Sequence, residues 1–140
     1  MFYGNILTEA AYKASELFKN TSVKVEDGDP SEKDRALELL SKHWNKILDK
    51  FAKEGWDYIK ESRKQVKDWH SEYKTKEDFK KAIKPKGITL YLDRYNGKTD
   101  FYTASIYAEP DKSLDEHTPS LEVNFSDKAC KIPYNVQYDG

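Results

Sequence analysis

The stretch "KPKGITLYLDRYNGK", Lys84 to Lys98, decides the fold. Upstream of it apolar residues recur at steps of three and four; from Gly87 onward they alternate. Pro85 disfavours helical geometry at Lys84, and Gly87 relaxes the backbone ahead of a strand. Ile88, Leu90 and Leu92 point one way and Thr89, Tyr91 and Asp93 the other, the period of a half-buried strand. Asn96-Gly97 is a strong short hairpin signal. The return strand is "DFYTASIYA", Asp100 to Ala108. After a polar loop, Glu109 to Pro119, the run "SLEVNF" aligns Leu121, Val123 and Phe125. Asp127-Lys128 then turns the chain into a fourth strand, with Cys130, Ile132, Tyr134 and Val136 on one face. Pro133 cannot donate to a ladder, so that strand is an edge or is bulged there.

Working back from the junction, "DPSE" offers Asp29 as a helix cap, Pro30 at the first helical position and Glu32 three residues after the cap. Leu37, Leu40, Trp44, Ile47, Leu48, Phe51, Tyr58 and Ile59 then form one apolar stripe over about six turns. Gly55 interrupts it, as a bend or a close approach of another backbone. Helical character extends through Val66 and Trp69, with a break near Ser62. Thr75 caps a last short helix that turns Phe79 and Ile83 inward. Near the start, Thr8 caps a helix to about Lys19, with Phe2 to Leu7 as an alternative strand. Val23 and Val25 alternate in a short strand or an ordered loop. The expected fold is one α+β domain over residues 1–140. Residues 1–84 are mainly helical, and residues 87–138 form a four-stranded antiparallel meander with the long amphipathic helix on one face.

The 140 residues suffice for a core without disulfides or metals, with aromatics at 14% carrying much of the burial. Lys and Arg total 24 against 25 Asp and Glu, which gives no global attraction to nucleic acid or an acidic membrane. A single cysteine excludes an intrachain disulfide and a multi-thiolate zinc cluster. No basic stretch followed by an apolar run opens the chain, and no run reaches the length of a membrane span. The expected compartment is a reducing cytosol.

Asp115, Glu116 and His117 are the most conspicuous candidates for chemistry. Oxygen and imidazole donors can bind a metal, and a hydrolase reading follows from that. A catalytic zinc needs three protein ligands, however, and no HExxH or HxH pattern is present, so the favoured reading is a polar loop. His43, beside Trp44, falls at the boundary of the helix's apolar face. Cys130 alternates in phase with Ile132 and Val136, which makes it a buried, inert thiol rather than a nucleophile. The glycines are isolated, and no phosphate-cradling loop occurs. No cofactor is expected.

Two distributions remain. Lys60 to Lys86 holds ten Lys or Arg against five acids, interleaved as on a solvated helix face. Of the ten tyrosines, Tyr91, Tyr95, Tyr102, Tyr107 and Tyr134 fall in the sheet half. Tyr91 is out of phase with the apolar positions of its strand and belongs on the outer face, where tyrosine gives contact area at low entropic cost.

The run "TKEDFKKAIKPKGITLYL", Thr75 to Leu92, together with Glu116-His117, resembles an uncharacterised family of small bacterial domains. Some of its members occur in polymorphic-toxin immunity neighbourhoods. That family runs from a short helix through a proline into a strand, and later carries an acidic-His motif. Here Ser113 and Leu114 stand in place of the motif's Trp-Asp, and Thr118 and Ser120 in place of its glycines. The resemblance covers the C-terminal half and implies an α+β domain without known catalysis. The expected function is a non-catalytic, cytoplasmic protein-binding domain of immunity type, which neutralises a toxin by occlusion. Tyr91, Tyr95, Asp115, Glu116 and His117 are the partner-binding candidates. The alternative is a metal-binding protein or hydrolase using Asp115, Glu116 and His117.

Overall fold

A computed structural model describes residues 13–93, 101–112 and 118–139. Phe2 to Leu7, Thr8 and the Asn96-Gly97 turn lie outside them. In chain order the elements are helix α1 (Ala14–Leu17), strand β1 (Ser22–Asp27), a 3-10 turn (Pro30–Glu32), helices α2 (Lys33–Lys42), α3 (Trp44–Ser62) and α4 (Lys76–Ala82), and strands β2 (Lys84–Tyr91), β3 (Tyr102–Glu109), β4 (Thr118–Phe125), β5 (Cys130–Lys131) and β6 (Gln137–Asp139).

The sheet is mixed, not the expected four-stranded antiparallel meander. β2, β3 and β4 pair antiparallel, with Ile88 opposite Ile106 and Ile106 opposite Leu121. β1 adds to the free edge of β2 in parallel, Val23 opposite Ile88 and Val25 opposite Leu90. A parallel pair needs a long crossover, and α2, α3 and α4 supply it. At the other edge, β5 and β6 both pair with β4, β5 at Asn124 and Phe125, and β6 at Thr118 to Ser120. The expected fourth strand is therefore split. Pro133, without an amide hydrogen, sits in the gap, and Tyr134 turns outward with 62% of its surface exposed.

The long helix is also divided. The Asp29 carboxylate accepts from the Ser31 amide at 2.9 Å, as an N-cap should. Helicity then breaks at His43, whose Nε2 donates to the Ser126 carbonyl at 2.7 Å. The apolar stripe keeps its phase across the break, so Leu40, Trp44, Ile47, Phe51 and Ile59 are all buried. They face Leu90, Ile106, Val123 and Phe125 on the inner face of the sheet, also buried. Beyond Ser62 the chain does not continue as helix. Asp68 and His70 take left-handed backbone angles, φ 64° and 48°, and Val66 is 55% exposed. The Arg63 guanidinium organises this bend by donating to the carbonyls of Trp69, His70 and Tyr73 at 2.8, 2.7 and 2.9 Å. Thr75 caps α4 as expected, accepting from the Asp78 amide at 3.1 Å.

A polar row runs along α2 and α3 at steps of four. Lys42, Lys46, Lys50, Glu54 and Tyr58 meet the C-terminal segment at Asp127, Cys130, Asn135, Val136 and Tyr138 in turn. The apolar stripe holds the sheet, and this row holds the strap that follows it.

Candidate functional site

The helices occupy one face of the sheet. The other face is built from the out-of-phase residues of β1 to β4, set in three rows by the strand register. Ser22, Gly87, Tyr107 and Ser120 form one row. Lys24, Thr89, Ser105 and Glu122 form the next. Tyr91, Thr103 and Asn124 form the third. The centre of this face is small, Thr89 beside Ser105, and small residues also neighbour the tyrosines, Thr103 opposite Tyr91 and Gly87 opposite Tyr107. The half-buried Tyr91 and Tyr107 stand at opposite ends of this shelf, about 13 Å apart along the strands at a rise of about 3.3 Å per residue.

Local chemistry fixes each end. Gly87 lies opposite Tyr107, and a β-carbon there would touch the Tyr107 ring at an ordinary 3.8 Å, so the ring covers bare glycine backbone. The Tyr107 hydroxyl donates to Glu109 two residues along the same face. Burial first, and then that hydrogen bond, push its pKa up to about 12. Thr103 Oγ1 donates to Asn124 Oδ1 at 2.7 Å, and Lys24 pairs with Glu26. These contacts order the surface.

Of the expected site residues, Tyr91 is on this face as its phase requires. Tyr95, Asp115, Glu116 and His117 lie outside the described residues. Tyr107 completes the surface, and its signal was in the sequence: it alternates with Ile106 and Ala108, in phase with Thr103 and Ser105. Among the described residues, no three His, Cys, Asp or Glu side chains group so as to hold a metal ion. Cys130 is buried, and that burial pushes its thiol up. His43 is half-buried at the helix boundary, and its ring is engaged in the helix–turn contact with Ser126. No helix among the described residues is long and apolar enough to cross a membrane.

Residues 4–109 match the model of a family described as a domain of unknown function, DUF6985. The matched range takes in the helices, β1 to β3, Tyr91 and Tyr107. It extends well upstream of the C-terminal half that carried the sequence resemblance, and it ends ahead of Glu116-His117. No curated protein and no solved structure matches the chain. The chain belongs to the DUF6985 family of domains of unknown function.

Proposed function

We propose that this chain is a non-catalytic protein-binding domain that docks its partner on the outer sheet face. The observation that carries this reading is the pair of half-buried tyrosines, Tyr91 and Tyr107, flanking small residues on the outer face of the sheet. Such a shelf admits close approach of another backbone, and the tyrosines supply area and hydrogen-bonding hydroxyls with few rotors to freeze. The polar complement of Lys24, Glu26, Glu122 and Asn124 suits an interface that forms between separately soluble proteins rather than an obligate one. The narrower reading is an immunity-type protein, cytoplasmic and bacterial, that covers the active site of a toxin. The sequence resemblance to immunity-neighbourhood domains supports it.

The test is co-purification with the product of the adjacent coding sequence, comparing the wild-type chain with Ser105→Arg. Ser105 is at the centre of the shelf, and an arginine there projects outward without touching the core. A stoichiometric complex with wild type that the variant loses is the expected result. Equal capture by both, with the variant's thermal melt unchanged, assigns binding to another surface and overturns the proposal.

A further inference from the structure

A groove of about 550 Å³ opens where the end of α1, the start of α3 and the α4–β2 junction meet, at the edge of the sheet remote from Tyr91. Its apolar lining is Leu17, Trp44, Leu48, Ile83 and Pro85, with Asn20, Thr21 and Asn45 beside them. Phe18 packs edge-on against Trp44 with ring centroids 5.9 Å apart, and the Thr21 hydroxyl donates to the Pro85 carbonyl at 3.1 Å, so the two walls are tied together. The rim is cationic, with Lys19, Lys80, Lys81 and Lys84 against Glu16 and Glu77. Lys80 is engaged with Asp49, and Lys19 stands 3.9 Å from Glu16. Lys81 and Lys84 are exposed and have no ionic partner among the described residues.

A largely apolar trough bordered by the ammonium groups of Lys81 and Lys84 is complementary to an apolar side chain flanked by carboxylates. The volume is within the range of small-ligand sites, and the open shape accepts an extended chain. We infer that this groove binds an acidic peptide segment of a partner protein. A large aliphatic or aromatic residue lies against Leu17, Trp44 and Ile83, with Asp or Glu residues on either side reaching Lys81 and Lys84. The groove is separate from the sheet face, so each proposal stands without the other.

The full chain, labelled with ¹⁵N, is titrated with the blocked peptide Asp-Glu-Leu-Phe-Glu-Asp and separately with Lys-Lys-Leu-Phe-Lys-Lys. The acidic peptide is expected to move the amide resonances of Leu17, Thr21, Leu48 and Ile83 while leaving Thr89 and Ser105 in place, and the basic peptide to move none of them. The double variant K81E/K84E is expected to weaken the acidic peptide about tenfold or more. Rising salt weakens wild-type binding in the same direction, which gives a reading independent of any variant's folding. Absence of shifts at ~1 mM peptide, equal binding of both peptides, or insensitivity to salt and to charge reversal overturns the proposal. So does decanoate moving these resonances where the acidic peptide does not, since the groove then takes a small amphiphile.

Discussion

The Val136 amide donates to Glu54 Oε1 at 3.0 Å, joining the middle of α3 to the residue that re-enters the core between β5 and β6. Lys50 Nζ stands 3.0 Å from the other carboxylate oxygen, and both side chains are largely buried. Glu54→Ala strands a buried amide and leaves Lys50 without its counter-charge. The expected loss is about 2 kcal/mol of stability, from the cost of an unsatisfied buried group and a broken part-buried pair. Urea denaturation measures it, and a loss below about 0.5 kcal/mol contradicts the role given to this rung. Glu54→Gln keeps an acceptor and is expected to lose less.

Gly28 follows β1 with φ 98°, and a β-carbon on it would fall 2.6 Å from the Leu92 carbonyl carbon and 2.7 Å from the Asp93 nitrogen. Those neighbours are backbone atoms, held there by the Leu92 amide donating to the Asp27 carbonyl at 2.7 Å. Gly28→Ala is expected to cost about 2–4 kcal/mol, combining the left-handed penalty with overpacking. A thermal melt within a degree or two of wild type would refute the tight turn.

Arg63 holds three carbonyls with one planar fork, which a lysine ammonium cannot reproduce. In Arg63→Lys, amide exchange across residues 66–73 is expected to accelerate by about tenfold, corresponding to about 1.4 kcal/mol of local opening. Exchange in β2 and β3 is expected to stay as it was. Uniform acceleration would show that the bend and the sheet open together.

Tyr107 ionises at about 12 in the folded chain, against an unfolded tyrosine near 10. Below pH 10 both states keep the proton, and the group contributes no slope. Between 10 and 12 the folded state binds more protons, so stability falls as pH rises through that window. Removing the carboxylate partner in Glu109→Gln is expected to bring the ionisation down toward 10, read as earlier phenolate absorbance and a gentler loss of stability above pH 10. An unchanged titration would mean that the hydrogen bond to Glu109 is not a cause of the shift.

Much of this architecture is legible in the chain, and the departures have physical causes. Ile88-Leu90-Leu92 and Leu121-Val123-Phe125 read as strands because one face of each is buried and the other wet. The α3 stripe reads as a helix for the same reason at its own period. The break at His43 is invisible to periodicity, because Leu40 and Trp44 are four apart whether or not the helix pauses between them. β1 reads only as an alternation of two valines, since its hydrogen-bonded partner lies beyond three helices. The row Lys42, Lys46, Lys50 and Glu54 passes for a solvated face: a charge that grips a distant carbonyl and one that meets water look alike in sequence. On the outer sheet face, alternation assigns Tyr91 and Tyr107 to one side. What lies between them depends on register, which brings Thr89 beside Ser105 and Gly87 beneath the ring of Tyr107.

The bond from Thr21 to Pro85 spans 64 positions of sequence, and β1 can pair only once β2 has been made. During synthesis the first strand must therefore wait, its backbone bonded to water alone, until three helices and the next strand have left the ribosome. Cutting the chain at the apparent seam near residue 84 would leave β1 a lone strand in one piece and the edge of β2 uncovered in the other. Neither would be a smaller version of the whole.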